Sequence, residues 1–381
     1  MAGADRGEVE GHRLARRRLR QLVPRQARAQ HHAVARLHLP VPQAHQGAGP
    51  GELHRDPGRG AGPQGGGSVT GTLTRTVCKR TAAVTTPDGA QLHATVEGAE
   101  NAPVTVVLAH GWTLSQAAWD DVAGLLADRI ADGELRLVRY DQRGHGRSTW
   151  GDTEITVDQL GADLAEVLDQ LAPTGPVVLG GHSMGGMTIM CLAAARPELF
   201  GDRVRGVALV STSAGDLTSD PKSAGGRMAK LKPGMLSALL AGARVLERLR
   251  NLVPPTHPRH QKMVRELLYG SDATEEMVLE GAKIMHASTL RSFLEFMPAL
   301  GDHDKRENLA ALTRVPVEIF VGDSDKLTPK RHSRQLTEVL PEARLHLAER
   351  TGHMLTQERP QLVVDGLLRL VGQAGTGRAV A

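Results

Sequence analysis

The chain has 381 residues, 40% of them hydrophobic and 2% aromatic, enough for one large α/β domain with an insertion or for two domains, and too apolar for a chain disordered throughout. Its net charge of +4 is unevenly spread: the first 70 residues hold eleven Arg, no Lys and five acidic residues, so the basic excess belongs to this leader. Two cysteines, Cys78 and Cys191, exclude a disulfide framework, and both read as free thiols, Cys191 as a buried packing residue.

Residues 1–70 lack Lys, Ile, Phe, Trp and Tyr, carry Ser and Thr only at Ser68 and Thr70, and are crowded with Arg, His, Gln, Pro and Gly. Such a segment buries too little apolar surface to offset its ordering entropy, and a disordered basic leader is expected. Its best apolar run, Ala33–Val41, contains Arg36, His38 and Pro40, so no secretory signal is recognised, and the scarcity of Ser argues against a mitochondrial presequence. The Arg16–Arg20 cluster has no interleaved aromatic residue on which bases would stack, and no nucleic-acid partner is expected. Gly65-Gly66-Gly67 ahead of Ser68-Val69 fits a purine-rich ribosome-binding sequence before a valine-codon start, so a natural protein that begins near Val69 is the alternative to a translated leader. With no signal peptide or transmembrane segment recognised, a cytoplasmic location without a stable membrane anchor is expected.

After the leader the pattern turns globular. Ala82–Thr85, the Pro87-Asp88-Gly89 turn and Gln91–Val96 predict a β-hairpin. Val104–Ala109 is a continuous apolar run, as in a strand buried on both faces of a parallel sheet, and it ends in His110-Gly111-Trp112-Thr113. A helix is expected over Gln116–Ile130, a strand over Leu135–Tyr140, a helix over Gln159–Leu171, a strand over Val177–Leu179, a helix over Met184–Ala195 and a strand over Val204–Val210. This alternation predicts a mostly parallel sheet with helices on both faces and a site at the carboxyl ends of the strands, residues 71–212 forming its first part.

From about Ser213 to Asp304 the alternation stops. Met228–Arg250 and Glu275–Leu300 have helical patterns, with breaks at Val253-Pro254-Pro255 and Pro258, so residues 213–304 read as an inserted helical cap. Met235, Leu236, Leu239, Leu240, Val245 and Leu246 suggest an apolar face, with Arg244, Arg248 and Arg250 towards its end. A membrane-surface helix shares that pattern; packing over the core is the favoured reading. Strands resume at Val317–Val321 and Arg344–Leu347 and a closing helix spans Gln357–Val371, making 305–372 the second part of the core and 373–381 a frayed tail.

The chemistry centres on Gly180-Gly181-His182-Ser183-Met184-Gly185-Gly186, between a predicted strand and a predicted helix. This is the setting of a G-x-S-x-G nucleophile elbow, in which Ser183 sits on a strained turn and Gly181 and Gly185 must lack a Cβ. A serine hydroxyl needs a histidine to take its proton and a carboxylate to hold that histidine. His353, in Gly352-His353-Met354 after the last strand, is the expected base. His182 reads as structural, and His110 as a prop for the loop after the Val104–Ala109 strand. Asp325 and Asp323 both follow the Val317–Val321 strand in the chain order Ser…Asp…His. Asp325 is favoured because it lies further beyond the strand and Thr328-Pro329 turns the chain after it. The backbone N–H groups of Met184 and Trp112 are the expected oxyanion donors.

His110-Gly111-Trp112, Asp141 through Ser148 (DQRGHGRS), Gly181-His182-Ser183-Met184-Gly185, Gly322 through Pro329 and Gly352-His353 together resemble the α/β-hydrolase superfamily over roughly residues 80–372. The resemblance is to the branch of bacterial esterases, lipases and cofactor-free haloperoxidase-like perhydrolases. It implies Ser183 as nucleophile, Asp325 as acid, His353 as base, and Trp112 and Met184 as oxyanion hole; the leader has no counterpart in it. The expected reaction is hydrolysis of a small-molecule carboxylic ester with an apolar short-to-medium acyl chain through an acyl-enzyme. Perhydrolysis, C–C hydrolysis and acyl transfer on the same triad, and a non-enzymatic binding role, are the alternatives. No zinc helix motif, P-loop or dinucleotide fingerprint is present, so no metal or cofactor is expected. Met235, Leu239, Phe293 and Met297, with Met228, Met263, Met285 and Phe296, are candidates for an apolar pocket.

Overall fold

The computed structural model describes residues 78–219, 226 and 233–375. The chain divides into two units, Met1–Gly71 and Thr72–Ala381, and the described residues belong to the second. The readings for residues 1–70, for Met228 and for the tail beyond Gly375 lie outside the described residues.

Among the described residues eight strands form one sheet, β1 (Lys79–Thr85), β2 (Gln91–Glu97), β3 (Thr105–Ala109), β4 (Arg136–Tyr140), β5 (Val177–His182), β6 (Val204–Val210), β7 (Val317–Gly322) and β8 (Arg344–Ala348), in the order β1-β2-β4-β3-β5-β6-β7-β8. The first two pairings, β1 with β2 and β2 with β4, are antiparallel, and all others are parallel. The two-residue period sends alternate side chains of each central strand to opposite faces. Val107, Ala109, Leu179, Val207 and Ile319 pack on one side; Val106, Leu108, Val178, Ala208 and Phe320 pack on the other.

Helices α1 (Asp120–Ala131), α2 (Val157–Leu171) and α3 (Met184–Ala195) connect the first six strands. Between β6 and β7 the described residues form α4 (Pro233–Ala241), α5 (Ala243–Arg250), α6 (Pro258–Leu268), α7 (Glu275–Ala287) and α8 (Leu290–Gly301). Three follow: α9 (Lys330–Val339), α10 (Leu355–Glu358) and α11 (Pro360–Gly375). Side chains of α2, α3 and α9 fill the first face of the sheet, and those of α1, α10 and α11 the second.

Several predicted helices are divided, each for a local reason. Gln116–Trp119 is a 3-10 turn capped by Ser115, and α1 begins only at Asp120. The Met228–Arg250 reading becomes α4 and α5 separated at Gly242. Glu275–Leu300 becomes α7 and α8, because Ser288 and Thr289 are extended and the Thr289 side chain accepts the Ser292 N–H as an N-cap. Pro258 opens α6 rather than breaking a helix, occupying its first turn where no N–H is needed. The last helix runs on to Gly375, past the expected boundary at 372.

Candidate active site

Ser183 stands between the last residue of β5 and the first turn of α3 at φ 52, ψ −117, a conformation costly for any residue with a side chain. Its surroundings hold it there. The Ser183 N–H donates to Val210 O at 2.9 Å, and Ser183 O accepts from Gly186 N–H at 2.9 Å and from Thr212 Oγ1 at 2.7 Å. A Cβ at Gly185 would lie 2.1 Å from Ala109 O, so α3 approaches β3 as closely as it does only because that position is glycine.

The loops after β7 and β8 bring Asp325 and His353 together. His353 Nδ1 donates to Asp325 Oδ2 at 2.9 Å, with both side chains buried. The carboxylate is otherwise saturated: Oδ1 accepts the N–H groups of Leu327 and Thr328, each at 2.9 Å, and Oδ2 accepts Thr328 Oγ1, also at 2.9 Å. Burial alone would push this carboxyl up; the adjoining imidazole and the Thr328 bonds outweigh it and hold it below its ordinary value. Because an ionised carboxylate only accepts, the His353 proton sits on Nδ1 and leaves Nε2 as the basic nitrogen. Asp323 is exposed, and its side chain accepts from Ser324 Oγ at 2.8 Å.

His182 lies beneath this pair. Its Nε2 donates to His353 O at 2.9 Å, the two rings are 4.9 Å apart, and burial pushes its pKa down to about 3. It thus anchors the His353 loop to the elbow. On the opposite side, Gly111 abuts the elbow: a Cβ there would come within 3.1 Å of Ser183 Cβ. The N–H groups of Trp112 and Met184 donate to no described residue. His110 braces the loop from below, its Nε2 accepting the Gln142 N–H at 2.9 Å and its Nδ1 donating to Gly111 O at 2.7 Å. Gln142 completes a bridge, donating through Nε2 to His110 O at 2.5 Å and accepting Thr188 Oγ1 of α3 at 2.8 Å.

Of two supporting residues, Gln142 is marked in the sequence only as part of the family signature, and Glu358 not at all. Gln142 sits inside the DQRGHGRS motif, whose other members also hold loops: buried Arg143 is clamped by Asp163 and Asp88 at 2.5–3.1 Å. Glu358, five residues beyond His353, accepts the Gly352 N–H at 2.9 Å and the Gly270 N–H at 2.8 Å, fastening the His353 loop to the end of α6. Burial raises its pKa.

Of the pocket candidates, Phe293 reaches the site: it stacks on Trp112 at 4.7 Å, and Trp112 Nε1 donates to Ser292 O at 3.2 Å. Met297 is buried further along α8, and Leu239 is half-buried. Met235 is 46% exposed and Met263 48%, so neither lines an enclosed pocket. Their helices turn these side chains outward. Phe296 packs in the core against His145 at 4.8 Å. Among the described residues no cluster of three or more His, Cys, Asp or Glu is placed to hold a metal ion.

The family model described as the alpha/beta hydrolase family matches residues 106–366, which contain the elbow and the Asp325–His353 pair. The chain belongs to the α/β-hydrolase family. This α/β hydrolase is 26% identical over 262 residues to an esterase of Mycobacterium tuberculosis, covering 68% of the chain and 80% of that protein. It is 25% identical over 256 residues to a non-heme chloroperoxidase of Kitasatospora aureofaciens, covering 65% and 84%. Among solved structures, an esterase from Exiguobacterium antarcticum superposes with a TM-score of 0.61 at 19% identity, covering 77% of this chain and all of that one, a likeness of fold. Among the described residues no helix is long and apolar enough to cross a membrane.

Proposed function

We propose that this α/β hydrolase cleaves carboxylic esters of apolar, short-to-medium acyl chains, with Ser183 as nucleophile, His353 as base and Asp325 as the acid that orients it. The observation that carries the reading is the buried His353 Nδ1–Asp325 Oδ2 bond of 2.9 Å, tied through His182 to a serine held at positive φ.

His353 Nε2 takes the Ser183 proton as Oγ attacks the ester carbonyl. Asp325 stabilises the imidazolium so formed, and the N–H groups of Trp112 and Met184 receive the developing oxyanion. The imidazolium protonates the leaving alcohol, giving an acyl-Ser183. A water deprotonated by His353 then attacks the acyl carbon, and collapse of the second intermediate returns the proton to Ser183 and frees the acid. Helices α4–α8 act as a cap, with Phe293 and Trp112 offering the acyl chain an apolar wall.

Labelling with a fluorescent fluorophosphonate, run beside a panel of p-nitrophenyl esters, tests this. Labelling and turnover in the parent, both lost in Ser183→Ala, support it. A folded parent that neither labels nor hydrolyses any ester overturns it. The similarity to a chloroperoxidase favours one second reading, attack of hydrogen peroxide in place of water on the same acyl-enzyme, and peracid formation from acetate or acetate esters is its measurement.

A further inference from the structure

The helix α5 is inside out. Its sequence, ARVLERLR, has an apolar stripe, and in an ordinary cap helix that stripe would face the core. Here none of its residues is buried. Val245 is 61% exposed and Leu249 56%, and the turn that follows adds Leu252 at 77% and Val253 at 43%. This corrects the expectation that the helix packs its apolar side over the core.

The polar side faces inward instead. Glu247 accepts the Leu290 N–H at the start of α8 and pairs with Arg250 at 2.7 Å, and Arg250 also donates to His286 O at 2.8 Å. With about 100° per residue, Leu249 falls within about 40° of Val245, while Arg248 and Arg244 lie about 60° and 100° to one side. Both arginines are exposed and have no ion-pair partner among the described residues. Residues 233–265 hold six Lys or Arg against one carboxylate, Glu247, which is the residue turned inward.

We infer that the outward face of α5 and the turn after it, Val245, Leu249, Leu252 and Val253 beside Arg244 and Arg248, docks the protein reversibly on an anionic lipid surface. Apolar side chains enter the headgroup–acyl boundary while the flanking cations meet lipid phosphates. A second copy of the chain fits less well. A two-fold contact stripe to stripe would bring four arginines to one seam without a carboxylate to meet them. The docking face is joined to the candidate site through α8, whose first residue is held by Glu247 and whose Phe293 stacks on Trp112.

The test is co-sedimentation of the full chain with vesicles of phosphatidylcholine alone or with about one third phosphatidylglycerol, and it does not depend on whether Ser183 acts on esters. The Arg-rich first 70 residues are present in parent and variants alike, so the readout is the difference between them. Val245→Glu with Leu249→Glu is expected to lower partitioning to the anionic vesicles by about tenfold or more. Arg244→Gln with Arg248→Gln leaves the stripe intact and is expected to lower it by about 25-fold, about fivefold per cation. Thermal midpoints matching the parent establish that each variant is folded. Equal partitioning of parent and both variants overturns the proposal, as does a parent that ignores anionic vesicles. So does a parent dimer in sedimentation velocity that the Glu variant dissolves, which would make the face a contact between copies.

Discussion

Lowering the pH from 8 to 5 is expected to remove about 4 kcal/mol of folding stability through two rings alone, His145 and His182. Burial pushes each from the ordinary 6.5 down to about 3, and the geometry shows why neither accepts a second proton. His145 Nδ1 donates to Arg143 O at 3.0 Å and His182 Nε2 to His353 O at 2.9 Å, while the remaining nitrogens, His145 Nε2 and His182 Nδ1, are buried with no hydrogen-bond partner. Each ring is therefore neutral in the native state and gains its proton on unfolding. Between pH 6.5 and 3 the unfolded chain binds more protons, so acid favours it; at pH 5 the loss is about 2 kcal/mol per ring. His110, also lowered by burial, acts in the same direction. Asp163 and Glu358, raised by burial, act in the opposite one. A variant comparison isolates the rings: His145→Asn retains a donor for Arg143 O but cannot titrate. Urea unfolding followed by tryptophan fluorescence at pH 8 and pH 5 should show the pH difference shrinking by about 2 kcal/mol in the variant. The same pH difference in parent and variant refutes the reasoning.

Three further outcomes follow from close contacts around the site. Gly185→Ala places a Cβ 2.1 Å from Ala109 O and is expected to cost about 1–3 kcal/mol or more by overpacking, read as a lowered thermal midpoint. Thr328→Val removes the hydroxyl donor to Asp325 Oδ2 while nearly keeping the volume. It should lower kcat about tenfold with KM little changed and shift the acid limb of the pH–rate profile upward, because the carboxylate is less well stabilised. Glu358→Gln turns an amide N–H towards the N–H of either Gly270 or Gly352. It is expected to destabilise by about 1–3 kcal/mol in denaturant unfolding and to lower kcat through displacement of the His353 loop.

The central strands and the elbow were legible because each carries a local signal that the tertiary structure does not override. Val106–Ala109 and Val207–Val210 are apolar without interruption, as burial on both faces demands. Asp325 could be preferred over Asp323 from its place beyond the strand, but burial of one and exposure of the other became visible only with the loop folded. Helix α9 has no legible signal: KRHSRQLTEV buries only His332, Ser333 and Leu336, too few apolar residues for a periodic pattern. The orientation of α5 was equally hidden. A helical apolar stripe specifies a face, but which way that face turns depended on Glu247 finding the first N–H of α8, a contact more than forty residues distant.

The parallel pairing of β6 with β7 spans residues 211–316, and it also separates the elbow from the Asp325–His353 pair. Closing so long a loop is only slightly dearer in entropy than closing a short one, but contacts of such sequence separation form slowly. Residues 78–210 contain six adjoining strands and the serine elbow, so that part of the sheet has near neighbours to assemble on. The strands that carry the remaining two residues pair across this long connection and are expected to dock last. Fluorophosphonate reactivity during refolding should therefore lag behind the recovery of secondary structure, which makes the candidate site a reporter of the last long-range closure of the chain rather than of its early collapse.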